Sequence, residues 1–216
     1  MKDYKYILMC GGDYKKFETP KHLTKVNGER IVDRTIRLLK ENGIKDIYIS
    51  SNNPLFDSCG VPRLEHTNTY VNDGKTNIGY WLDAFYPVEE PVVYIWGDVY
   101  FSEDAIKTIA NYKTDRNVFF GTGAAYNKWH YDWGEPFAYI VNDYGVFFKA
   151  IEDVKRLKDL GKCKREPVVW ELYRYLHGLD INKQVITEDY VAIDDGTIDI
   201  DDPKDIERLG QWIKKV

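Results

Sequence analysis

The run Pro91-Val92-Val93-Tyr94-Ile95-Trp96-Gly97-Asp98 decides the fold. Val92 to Trp96 are apolar without a polar break. Unbroken apolarity, rather than alternation, is what a strand covered on both faces requires. The run ends in a glycine and a carboxylate, so an acidic side chain is delivered at the carboxyl end of a buried strand.

Working outward, the same pattern recurs on both sides. Tyr6-Ile7-Leu8-Met9-Cys10 reads as a buried first strand that Gly11-Gly12 ends. Ile31, Val32, Ile36, Leu38 and Leu39 fall on one face of a helix over Ile31 to Leu39, which Asn42-Gly43 stops. Asp46 to Ser50 is a second strand, closed by Asn52-Asn53-Pro54, and Asn77 to Phe85 reads as a helix. Ser102 can cap a helix over Glu103 to Tyr112. Val118 to Phe120 and Phe137 to Val141 read as later strands, followed by helices over Lys149 to Leu160 and Val168 to Leu176. A last strand lies near Thr197 to Ile200, and Pro203 opens a helix to about Lys214. Alternating strands and helices predict an α/β chain with a Rossmann-like, doubly wound, mostly parallel mixed sheet. In such sheets ligands bind beyond the carboxyl ends of the strands.

The 216 residues are 44% hydrophobic and 30% charged, a globular balance. The net charge of −5 argues against a nucleic-acid binder held by a broad basic surface. Cys10, Cys59 and Cys163 are odd in number and form no CxxC pair, so neither a disulfide framework nor a structural zinc site is expected. No signal peptide or membrane span is read at the N-terminus, and the expected compartment is the cytoplasm. The abundant tyrosines, 17 of them, read as core and rim residues.

Three segments can carry chemistry. Gly11 and Gly12 let the backbone turn tightly and approach a ligand, and Lys15, Lys16 and Lys21 place cations in the loop that follows, stiffened by Pro20. A glycine turn with converging lysines suits a triphosphate; the Walker A spacing is absent. Asp98 suits magnesium, which takes one or two protein carboxylates and substrate phosphates, although a turn or cap role is equally open to it. Between Asp194 and Asp205 fall six aspartates. Asp201 or Asp202 can cap the last helix and Asp205 complements its dipole. Asp199 and Asp201 alternate with Ile198 and Ile200 and so share one face of a strand. The polar, aromatic loop Asn127 to Pro136, with Lys128, Trp129, His130 and Glu135, reads either as an acceptor-binding loop or as a packed surface loop.

Taken together these segments resemble the sugar-phosphate and phospho-alcohol nucleotidyltransferases. The resemblance rests on Leu8 to Gly12, Pro20-Lys21-His22-Leu23, Val26-Asn27-Gly28, Gly97-Asp98 and Asp199-Ile200-Asp201-Asp202-Pro203-Lys204-Asp205-Ile206. Thr76-Asn77-Ile78-Gly79-Tyr80-Trp81-Leu82 is similar to a segment of phosphocholine-type cytidylyltransferases. The loop Asp13 to Thr19 is shorter than the family's and has no arginine. The resemblance implies one nucleotidyltransferase domain of GT-A-like fold over 1–216, with a nucleotide-binding part to about 115, an acceptor part to about 190 and a C-terminal metal strand and helix. It implies Mg²⁺ on Asp98 and Asp201; Asp199, on the same face of the strand as Asp201, is open as a ligand as well. Lys21 and Asp98 are the catalytic residues it implies, with Gly11, Gly12, Lys15, Lys16, Lys21, Asn77 and Gly97 at the nucleotide. The implied partners are a nucleoside triphosphate, CTP favoured, and a small phosphorylated polyol, glycerol, choline or sugar, for cell-surface polysaccharide such as capsule. No nucleic acid or membrane partner is expected, and a homodimer is allowed. A glycosyltransferase using a nucleotide sugar is the alternative, and a non-catalytic nucleotide sensor a weaker one.

Overall fold

The computed structural model describes residues 4–11, 16–67, 81–122, 134–183, 185–186 and 188–213. The run at 92–96 is strand β6 (Val92–Trp96), buried at every position, and it stands at the centre of a seven-stranded sheet. On one side lie β1 (Lys5–Met9), β4 (Ile47–Ser50) and the two-residue β5 (Arg63–Leu64). On the other lie β9 (Pro136–Val141), β8 (Val118–Gly121) and β10 (Tyr190–Ala192). Only β9 runs against its neighbours; β1 is parallel to β4 and β6, β4 to β5, and β8 to β10. The mostly parallel mixed α/β sheet is the architecture expected.

Helix α1 (Ile31–Glu41) buries Ile31, Val32, Ile36, Leu38 and Leu39, the face read from the sequence, and stops at Asn42 with Gly43 at φ +83°. Helix α2 (Glu103–Asn111) starts where Ser102 Oγ accepts from the Ala105 N–H. Two helices differ from expectation. Helix α3 (Tyr144–Asp159) begins five residues before Lys149, because the Asp143 carboxylate accepts from the Val146 N–H and caps a first turn that Gly145 by itself disfavours. In place of a helix reaching Phe85, residues Trp81–Ala84 form a single 3₁₀ turn, and 77–80 lie outside the described residues. Helix α4 (Val169–Leu176) follows the expected span.

Expected strand 197–200 is shorter and does not join the sheet. It is β11 (Ile198–Asp199), antiparallel to β7 (Val99–Tyr100), the segment directly after Asp98. A hairpin of β2 (Lys25–Val26) and β3 (Glu29–Arg30) turns through Asn27 and Gly28, both at positive φ, where glycine is free of the Cβ penalty. Helix α5 (Pro203–Ile213) closes the described chain.

Burial falls into two bodies. The large one packs the sheet against its helices. A small one gathers Val26, Ile31, Tyr100, Ile198, Ile200 and Leu209. This second body fastens the hairpin, β7, β11 and α5 to one another, which sets the site. No described helix is long and apolar enough to cross a membrane.

Candidate active site

Strand β6 ends in Gly97 because nothing larger fits. A Cβ there would stand 2.4 Å from Cys10 Sγ and 2.9 Å from the Met9 carbonyl oxygen. Close approach of the two strand ends is thus built in, and Asp98 is delivered at the carboxyl edge beside β1. The ribbon then brings the distant carboxylates. Asp199 pairs with Val99, and the Ile200 N–H donates to the Asp98 carbonyl at 3.1 Å. Ile198 and Ile200 are fully buried beneath, so Asp199 and Asp201 face the opposite way, toward Asp98. Oxygens of Asp98, Asp199 and Asp201 lie within 4.8 Å of one another.

Lys21 meets this group. It opens a 3₁₀ turn (Lys21–Leu23), and its Nζ lies 2.7 Å from Asp98 Oδ2 and 2.6 Å from Asp201 Oδ1. Burial works against the ammonium, yet Asp98, Asp199 and Asp201 outweigh it and hold Lys21 well above the ordinary lysine value. Burial also works against charge on Asp98, but the Lys21 ammonium holds its carboxyl below the usual range. Asp199 goes the other way: burial, then Asp98, push it well above the carboxylate range. One ammonium cannot neutralise three carboxylates, and Asp199 is the one left over. Its Oδ1 is buried and has no hydrogen-bond partner among the described residues. His22, beside Lys21, is buried and held neutral, its pKa down to about 4, by desolvation.

This is a donor set that fits a hard divalent cation. Three carboxylate oxygens converge, one of them orphaned and in excess of the available positive charge, and magnesium prefers such ligands.

The carboxylates line a cavity of about 500 Å³. Trp81, Trp96 and Trp170 supply apolar walls, and Arg165, Lys204 and Arg208 supply cations. Arg165 is the oriented one. Its Nε and Nη2 donate to the two oxygens of Glu171 at 2.8 and 3.2 Å. Glu171 is buried at the third position of α4, where it also accepts from the Val168 N–H at 3.0 Å. That reach back to the helix start is the acidic half of a capping box. Glu135 is buried in the same wall, and its Oε2 accepts from the Asp199 N–H at 3.1 Å. Burial, with Asp201, Asp205 and Asp98 adding to it, pushes Glu135 up to about 7 against that bond.

The structure therefore brings together Lys21, Gly97, Asp98, Glu135, Asp199 and Asp201. Gly11 ends β1 nearby. Lys16 is exposed and pairs with Asp202 at 3.2 Å. Gly12, Lys15, Asn77, Lys128, Trp129 and His130 lie outside the described residues. The helix-cap reading falls to Asp202, whose Oδ1 accepts from the Lys204 N–H at the start of α5, while Asp205 Oδ2 accepts back from the N–H groups of Asp201 and Asp202; Asp195 instead holds the Ser102 hydroxyl and the Thr197 N–H. Sequence reasoning missed Arg165 and the three tryptophans. The signal for Arg165 was Glu171 after Pro167, a helix start with a carboxylate at its third position.

No protein-family model matches the chain, and no curated protein matches it by sequence. Solved structures do match over nearly the whole length. One, assigned as a glucose-1-phosphate thymidylyltransferase from Bacillus anthracis and bound to sucrose, shares 17% identity with a TM-score of 0.62, over 99% of this chain and 96% of that one. The inositol-1-phosphate CTP transferase from T. maritima shares 14%, TM-score 0.53, over 99% and 97%. Rv0371c from Mycobacterium tuberculosis shares 12%, TM-score 0.58, over 97% and 98%. The fold is theirs. At these identities the likeness is one of architecture, and the chemistry rests on the residues themselves.

Proposed function

We propose that the chain is a nucleotidyltransferase that moves a nucleoside monophosphate from a triphosphate to a small phosphorylated acceptor. The observation that carries this reading is the convergence of Asp98, Asp199 and Asp201 on Lys21, inside a cavity whose other wall holds an oriented arginine. An acidic centre for a cation plus a separate cationic wall suits two anionic substrates brought face to face.

In the reaction an oxygen of the acceptor phosphate attacks the α-phosphorus, the α–β phosphoanhydride bond breaks, and pyrophosphate leaves. The acceptor is already nucleophilic, so no side chain has to be phosphorylated, and catalysis is positioning and charge neutralisation. Asp98, Asp199 and Asp201 would hold Mg²⁺, which when bound would supply positive charge to the triphosphate. Lys21, tethered by Asp98 and Asp201, meets the charge that builds on the α-phosphate. Gly11 and Gly97 keep the floor low, while Lys15 and Lys16 serve the β- and γ-phosphates. Arg165 spends Nε and Nη2 on Glu171 and keeps Nη1 for the acceptor phosphate. Glu135 fixes the strand that carries Asp199 and forms part of the acceptor wall; Lys128, Trp129 and His130 serve the same acceptor.

CTP is the favoured triphosphate, on the Asn77 segment, and a solved structure of like fold is named a CTP transferase. The acceptor is a phosphorylated polyol, glycerol, choline or sugar, and the product a cytoplasmic precursor of a cell-surface polysaccharide. The deciding experiment is pyrophosphate release with four triphosphates crossed against these acceptors. Pyrophosphate formation that requires both substrates and Mg²⁺ is expected. Release of a nucleoside diphosphate from nucleotide sugars, with no pyrophosphate from any pair, would instead make the chain a glycosyltransferase.

A further inference from the structure

Outside the acidic centre, a buried histidine stands at the carboxyl edge of the sheet, and among the described residues only one of its two ring nitrogens has a partner. His66 follows β5 and is 7% exposed. Its Nδ1 lies 3.0 Å from Ser50 Oγ. Ser50 ends β4, and its hydroxyl donates to the Ala84 carbonyl at 2.8 Å. A hydroxyl has one proton. With that proton on Ala84, Ser50 Oγ can only accept, so the hydrogen between it and His66 sits on Nδ1. Desolvation lowers the pKa of His66, which favours the neutral ring. A neutral imidazole protonated at Nδ1 presents Nε2 as an acceptor. Among the described residues no donor bonds to Nε2.

That acceptor lies against the end of β1. A Cβ on Gly11 would come within 3.2 Å of His66 Cε1 and 3.5 Å of Nε2, so the open edge of the ring faces the first glycine beyond the strand. Strand β1 has β6 on one flank and β4, then β5, on the other. The edge therefore has two poles. Beyond β6 are Asp98 and Lys21, which attract phosphate and cation. Beyond β4 and β5 is an uncharged acceptor fixed by two hydrogen bonds in series. A nucleotide crossing the end of β1 with its phosphates at the first pole carries its nucleoside toward the second.

We infer that His66 reads the nucleoside, its Nε2 accepting a hydrogen bond from a base N–H or a ribose O–H. This rests on the transferase reading for the class of ligand, and on the locked tautomer and the Gly11 contact for the residue. A buried acceptor of fixed direction discriminates, because a nucleoside without the donor leaves it unpaired.

The test is calorimetric binding of the four ribonucleoside triphosphates and of the 2′- and 3′-deoxy forms of the best one, with Mg²⁺ and without acceptor. His66→Phe keeps a ring against Gly11 and removes the acceptor. His66→Gln keeps an acceptor and serves as the second variant where the phenylalanine substitution prevents folding. For His66→Phe, affinity for the preferred triphosphate is expected to fall about tenfold, the order of one hydrogen bond. His66→Gln should recover part of it, and the acceptor KM should stay unchanged in both. If the preference among bases shrinks, the base is read; if only the penalty for a deoxy form vanishes, the ribose is read. Wild-type affinity for every triphosphate in His66→Phe would overturn the inference, as would an equal loss toward the acceptor. Wild-type protein that binds triphosphates through His66 yet forms no pyrophosphate would sink the transferase reading and leave His66 standing.

Discussion

Two buried lysine–aspartate pairs sit in this molecule with nearly the same geometry. Lys21 lies 2.7 Å from Asp98, with side chains 13% and 16% exposed; Lys155 lies 2.8 Å from Asp83, with 12% and 2%. By distance, and by the burial of their lysines, they cannot be told apart. Lys155 is shared between Asp83 and the exposed Glu152, and neither it nor Asp83 lines the cavity. It ties α3 to the 3₁₀ turn at 81–84. Lys21 faces three carboxylates that share a single centre, one of them with an orphaned oxygen. A buried pair alone is weak evidence for function. What marks a site is charge that the fold gathers and does not neutralise.

The comparison can be broken most severely at Asp98. Asp98→Ala should lower turnover about a thousandfold, the scale of losing a preorganised electrostatic contact in the transition state. It should leave the fold intact, checked by circular dichroism and steady-state pyrophosphate release. Lys155→Met should do the reverse. It removes the Lys155 ammonium from the buried Asp83 carboxylate and should cost about 3 kcal/mol of stability by urea unfolding, with kcat nearly unchanged. Loss of activity in Lys155→Met at temperatures where it stays folded would erase the distinction. A smaller effect sharpens it: Asp199→Asn removes the surplus charge. Metal-free Asp199→Asn should melt a few degrees higher than wild type, for about 1 kcal/mol, whereas millimolar Mg²⁺ should raise the melting temperature of wild type and not of the variant.

The sheet was legible wherever burial was continuous. Residues 6–10 and 92–96 announce β1 and β6 because five apolar residues in a row have few other uses, and Ile47-Tyr48-Ile49 between Asp46 and Asn52-Asn53-Pro54 marks β4. Strands β5 and β10 were not legible, since two and three half-exposed residues carry no period and are held only by their partners. The acidic centre was half legible. Gly97-Asp98 announced itself by following β6, and Asp199 and Asp201 by alternating with two isoleucines. That β7 and β11 pair, and so join residues a hundred positions apart, is written in no local pattern. It follows from the small apolar body under them, whose members Val26, Tyr100, Ile198 and Leu209 come from four separate segments. Glu135 was read as an acceptor contact; its bond to the Asp199 N–H adds a bracing role that a glutamate before a proline does not advertise. Arg165 carries no signal of its own in the sequence; what orients it is the buried Glu171, six residues on.

The ribbon also imposes an order in time. Chains fold from the N-terminal side as they leave the ribosome. Strands β1, β4, β6, β8 and β9 and the residues Lys21 and Asp98 are all synthesised before position 142. A nascent chain at that stage can build most of its sheet while lacking two of the three carboxylates. Only when Ile198 to Leu209 emerge and seal against Val26 and Tyr100 do the three carboxylates converge. The acidic centre is thus the last part of the cavity to be completed in synthesis, and a half-made chain carries Lys21 without two of the carboxylates that surround it.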